Sequence, residues 1–152
     1  MKQFIASIFP PTIFKKRAQY AALAAGFWTI IIMLAQLFRF EKFPKTLESL
    51  GIGDGTIVAI AIVLLEFISL PFLLSMPRLS ELEQRISGVC VLLAPGVWLV
   101  ISAAVLMSSG QEKVSLFGAV AALPGVASLL LSGAWLAAAA YLTAKLRRLD
   151  LK

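Results

Sequence analysis

The sequence predicts an all-α membrane protein: a four-transmembrane-helix bundle with a short amino-terminal interfacial helix, forming a single membrane domain of 152 residues. Three observations predict it. Hydrophobic residues make up 60% of the chain and charged residues 14%, with a mean hydropathy of +0.92, which leaves too little polar side chain to solvate a globule of this size in water. Four apolar runs are each long enough to cross a hydrocarbon core about 30 Å thick, which takes about 20 helical residues. The Lys and Arg outside those runs fall unevenly on the two sides that four crossings define.

The first 14 residues begin with a charge and turn apolar, as a signal peptide does, but Pro10 and Pro11 break the run and no small-residue cleavage site precedes Lys15. Phe4, Ile5, Ile8 and Phe9 share one helical face, so this segment is expected to lie on the inner leaflet as an interfacial helix. The first span runs from Ala18 to Phe38, between the basic cluster Lys15, Lys16, Arg17 and Arg39, with no charge inside it. The second runs from Ile57 to Met76 and holds one charge, Glu66; the third runs from Ile86 to Met107, after the polar segment Arg78 to Arg85. The fourth is read from Leu116 to Thr143, longer than one crossing requires, so tilt or an interfacial first turn has to absorb the excess.

Strands are excluded, because these runs are two to three times too long for membrane strands and lack a barrel's alternation. Lipid leaves backbone polar groups no other partner, so the runs are helices. Pro71, Pro95 and Pro124 fall inside them and predict kinks, most clearly at Pro95 and Gly96. Ten Lys and Arg lie in the amino-terminal segment, the Arg78 to Arg85 loop and the tail, against four on the other side, which predicts both termini on the cytoplasmic face of the inner membrane. The net charge of +6 then reflects topology and attraction to anionic membrane lipid, and requires no nucleic acid.

Residue usage closes several chemistries. The chain has no histidine, so it offers no imidazole to a haem or a metal and no Ser-His-acid set, and no metal site is expected. Its one cysteine, Cys90, lacks a partner for an internal disulfide or a C-x-x-C pair and reads as a packing residue. The glycine-rich stretch Gly51 to Gly55 lacks the spacing of a nucleotide-binding loop and reads as a turn before the second span. No loop is long enough for a folded extramembrane domain, and no catalytic residue is assigned.

The polar content of the spans carries the functional expectation. Glu66 lies nine residues after Ile57, about 13 Å along a helix and close to the midplane of its span. A carboxyl there is costly unless it is protonated, paired or wet, so it must face the bundle interior or a cavity. Ala22, Gly26, Thr29, Met33 and Gln36 form one face of the first span, with Thr29 read as level with Glu66 and Arg39 continuing the seam outward. The expected site is therefore a cluster of Glu66, Arg39, Gln36, Thr29 and Ser69, opening outward and serving either as a ligand site or as interhelical glue. Rows of small residues, Ala18, Ala22 and Gly26 in the first span and Ser128 with Ser132, or Gly133 with Ala137, in the fourth, are expected to build the bundle's internal contacts. Trp28 and Trp98 read as packing residues; Tyr141 on the inner side and Phe38, Phe40 and Phe43 on the outer side read as the aromatic belts.

The stretch from Ala35 to Ile52, followed by Leu64 to Leu73, resembles the DoxX/MauE-like group of small four-helix membrane proteins. In that resemblance Arg39 takes the basic position closing the first helix, Phe43 and Gly51 the loop positions and Glu66 the acidic one. Arg39 stands where the group usually has lysine, and Ser69, Leu70 and Pro71 stand where a glycine often follows the glutamate. The resemblance implies an accessory role around a membrane redox system, such as quinone-linked oxidation or maturation of periplasmic redox proteins. The absent histidines and cysteine pair argue that the chain itself holds no redox cofactor, and quinone or lipid is the expected hydrophobic ligand. Its macromolecular partner is then another membrane protein or a second copy. Two expectations follow. A non-catalytic accessory subunit loses partner or quinone binding in Glu66→Gln without a transport defect. A small proton-coupled transporter shows substrate-driven proton release that Glu66→Gln abolishes. A purely structural subunit of a membrane complex is the third alternative.

Overall fold

The structure is a computed structural model that describes residues 17–38, 40–74, 80–108, 113–114, 116–117, 120 and 123–150. The expected interfacial helix at residues 1–14 lies outside the described residues, and so does Arg39. The described chain is helical apart from one small strand pair: α1 (Arg17–Phe38), α2 (Phe43–Ser49), α3 (Gly55–Leu73), α4 (Glu81–Ser108), β1 (Lys113–Val114), β2 (Leu123–Pro124) and α5 (Gly125–Asp150). Four of these helices, α1, α3, α4 and α5, are long and apolar enough to cross a membrane.

Each boundary has a local cause. The α2 helix starts with Pro44 in its first turn and turns Phe43, Pro44 and Leu47 inward, one residue pair four apart on a single face. It ends before Gly51, whose φ of +80° is a conformation that glycine adopts without cost. The Asp54 carboxylate caps α3, accepting from the backbone N–H of Thr56 and of Ile57, each at 3.2 Å. Gly55 opens α3 directly against α2: a Cβ there would collide with the Pro44 carbonyl oxygen. Ser80 and Glu83 form a reciprocal cap on α4, with Ser80 N–H donating to Glu83 at 2.8 Å and Glu83 N–H donating to Ser80 Oγ at 3.3 Å. This cap starts α4 at Glu81, five residues before the Ile86 expected from hydropathy alone.

Pro71 and Pro95 sit inside continuous helices. Beside Pro71, the Phe72 N–H donates across to Ser87 Oγ of α4 at 3.0 Å, so a neighbouring hydroxyl serves a backbone group there. Pro124 behaves differently, and it corrects the expected fourth span. Leu123 and Pro124 form β2, paired antiparallel with β1 (Lys113 with Pro124, Val114 with Leu123), and the helix begins at Gly125 instead of Leu116. Proline holds the residue before it extended and offers no N–H to a helix interior, so the apolar run from Leu116 divides at that point. Pro124 thus closes β2 directly before the helix and is not a kink within it. Leu116 is part of a turn and fully buried.

The four long helices pack in the ring order α1, α3, α4, α5, with the contact between α5 and α1 the sparsest of the four. The buried face of α1 is Ala22, Gly26, Thr29, Ile32 and Gln36; Ile32 takes the innermost position expected for Met33, which is half-buried. Gly26 packs on Leu73 and Leu74, and Ser102 and Ser128 share a buried hydrogen bond of 2.9 Å between α4 and α5, so Gly26 and Ser128 make the internal contacts expected of them, whereas Ala137 of the row Gly133 and Ala137 is exposed. Cys90 is buried in α4. Phe43 corrects the expected outer belt: it is fully buried, while Phe38 is 80% exposed.

The helices are offset along the bundle. Gln36, two residues from the end of α1, meets Glu66, which lies eleven residues into α3. At 1.5 Å per residue, α3 therefore runs about 13 Å past the end of α1. The space this leaves is filled by α2 and Leu116, which close the bundle over Ile62, Trp98 and Val105.

Candidate polar site at Glu66

Glu66 is fully buried. Its Oε1 accepts two hydrogen bonds, from Gln36 Nε2 of α1 at 2.9 Å and from the indole Nε1 of Trp98 of α4 at 3.2 Å. Gln36 Nε2 also donates to the carbonyl of Leu116 at 3.3 Å. One carboxyl oxygen thus ties three long helices together, and one amide adds the turn between the strands. Phe43 lies over the group, stacked on Trp98 with ring centroids 6.2 Å apart and planes 25° apart. Among the described residues, Phe43, Leu47 and Leu116 are fully buried around this end of the core, where an outward opening was expected.

Of the five residues expected at the site, the structure brings Gln36 and Glu66 into direct contact. Thr29 is buried, but its hydroxyl donates to the Ala25 carbonyl one turn back at 3.0 Å, and Ser69 donates to the backbone carbonyl of Glu66 at 2.6 Å. Both hydroxyls serve their own helices and leave the carboxyl alone. Thr29 is not level with Glu66, because the return of α2 into the bundle shifts α1 by two turns relative to α3. Trp98 is the partner that the sequence reading passed over. Its signal was its depth: a tryptophan far inside a span carries an N–H that needs an acceptor when buried.

The electrostatics are those of an acceptor surrounded by neutral donors. Among the described residues no cation bonds Glu66; the ion pair there is the exposed Arg85 and Glu81 on the first turn of α4. Glu66 Oε2 and Gln36 Oε1 are buried without a hydrogen-bond partner among the described residues. A carboxylic acid carries a donor that a carboxylate lacks. Among the described residues no three His, Cys, Asp or Glu side chains gather into a metal-holding group.

A second feature lies on another side of the bundle. A groove of about 320 Å³ opens between α1 and α5, lined by Ala21, Ala25 and Trp28 on one side and by Leu131, Ala138 and Tyr141, among others, on the other. None of the residues tied to Glu66 lines it. Comparison of the chain with protein-family models, with curated proteins and with solved structures gave no match.

Proposed function

We propose that the chain is a small integral subunit of the cytoplasmic (inner) membrane, with both termini cytoplasmic, that acts without catalysis beside a membrane-bound partner system. The observation that carries this reading is the enclosure of Glu66. A carboxyl that exchanges protons for substrate has to meet water and substrate in turn, whereas this one is fully buried and its bonded oxygen is shared by Gln36 and Trp98. Its work is to hold α1, α3 and α4 in register and to present a fixed outer surface to a partner. The packing of Ala22 near the start of α1 against Leu142 near the end of α5 supports placing both termini on one side, and the Lys and Arg count supports the cytoplasmic side. The resemblance to the DoxX/MauE-like group, carried by residues 35–52 and 64–73, supports a quinone-linked redox system as the setting.

Solubilisation of native membranes in mild detergent, followed by capture of the full chain, tests the proposal. A membrane protein recovered in fixed ratio with the chain is the expected result. A chain recovered alone, which in sealed vesicles drives proton-coupled uptake that Glu66→Gln abolishes, overturns it in favour of the transporter.

A further inference from the structure

The groove between α1 and α5 has a direction and a charged end. The helices are antiparallel there, since Ala21 near the start of α1 and Leu142 near the end of α5 line the same end, while Trp28 and Leu131 line the other. Along α5 the lining runs from Leu131 to Leu142, about 16 Å by helix rise, parallel to the bundle. Small side chains line it on both helices, Ala21 and Ala25 on α1 and Ala134 and Ala138 on α5, together with the indoles of Trp28 and Trp135. The polar lining is confined to the tail end, at Tyr141, whose hydroxyl accepts from Lys145 Nζ at 2.9 Å, both side chains being exposed. Lys145 also lies over the Tyr141 ring, 5.3 Å from its centroid.

In the sequence Lys15, Lys16 and Arg17 fall at the start of α1, and Lys145, Arg147 and Arg148 fall near the end of α5. Among the described residues, the cation that meets the groove is Lys145, through Tyr141 at the tail end. An apolar slot parallel to long apolar helices, with an ammonium group and a phenol at one end, matches an acyl chain with an anionic headgroup. A neutral lipid or a quinone uses the slot and leaves Lys145 idle. We infer that the α1/α5 groove is a binding site for an anionic phospholipid, one acyl chain lying between Trp28 and Trp135 and the headgroup phosphate meeting Lys145 and Tyr141.

Two of the three tryptophans, Trp28 and Trp135, line the groove, so the site carries its own probe. The full chain is placed in phosphatidylcholine nanodiscs, and brominated phosphatidylglycerol or brominated phosphatidylcholine is titrated in at equal mole fraction. Quenching by the brominated phosphatidylglycerol is expected at about fivefold lower mole fraction or better, and Lys145→Gln, an exposed change, is expected to reduce that preference about fivefold. Ala138→Phe, which fills the groove, is expected to weaken quenching by both lipids. Equal quenching by the two lipids in the native chain, or a preference that Lys145→Gln leaves intact, overturns the inference. Absence of quenching by either lipid, with the chain migrating as a dimer, overturns it too, and assigns the groove to a second copy.

Discussion

At the scale of single residues, Glu66 and Trp98 divide the work of the polar site unequally. Glu66→Ala removes the acceptor of two buried donors and leaves Gln36 Nε2 and Trp98 Nε1 facing apolar surroundings. Hydrogen bonds within membrane bundles average about 0.6 kcal/mol, and an emptied site adds a cavity, so a loss of about 2 kcal/mol is expected in reversible unfolding from mixed micelles. Glu66→Gln keeps the Oε1 acceptor and puts an amide nitrogen in the place of Glu66 Oε2, which lacks a hydrogen-bond partner among the described residues. Its stability is expected within about 0.5 kcal/mol of the native chain, and Trp98→Phe, which removes one bond, is expected to cost about 0.6 kcal/mol. If Glu66→Gln unfolds as readily as Glu66→Ala, the ionised form of Glu66 is the one the fold needs. That Gln36 belongs to one polar cluster with Glu66 was legible in the sequence, because a polar residue on the same face as the small residues of a span has few other places to point; that Gln36 and not Thr29 stands level with the carboxyl was not. Trp98 was not, because an indole N–H is silent in any count of charge or hydropathy.

At the scale of elements, the span count was legible and two boundaries were not. Four long apolar runs became four long helices, since length and hydropathy are properties of the run itself. The run beginning at Leu116 read as one span because leucine, phenylalanine and alanine look alike to hydropathy whether they cross a membrane or fold back; only the backbone rule at Pro124 separates the cases. The α2 helix was hidden for the opposite reason. Seven residues with two charges carry too weak a period to announce a helix, and its apolar residues, Phe43 and Leu47, resembled an aromatic belt. The junction of α2 and α3 is where this element is most exposed to mutation. Gly55→Ala drives a methyl group into the Pro44 carbonyl, and a destabilisation of about 1–3 kcal/mol is expected. Asp54→Ala removes the α3 cap and is expected to cost about 1 kcal/mol. Measured together, the two substitutions should cost less than their sum, because either one loosens the same junction.

At the scale of the whole molecule, the four long helices of the described chain bring the start of α1 and the end of α5 to one end of the bundle. A fluorescent reporter that matures only in the cytoplasm, fused after Lys152, is expected to be bright, and the same reporter inserted at Gly53 is expected to be dark; the reverse pattern overturns the proposed orientation. Packing also bears on how the chain is made. The Gln36 amide reaches the Leu116 carbonyl across 80 residues of sequence, and Glu66 finds Trp98 only after 32 more have been added. During synthesis α1 and α3 therefore emerge with their amide and carboxyl bonded to each other at most, and the ribosome has to deliver the segment beyond α4 before the seam is sealed. A nascent chain stalled before Leu116 leaves the Gln36 amide without its second acceptor.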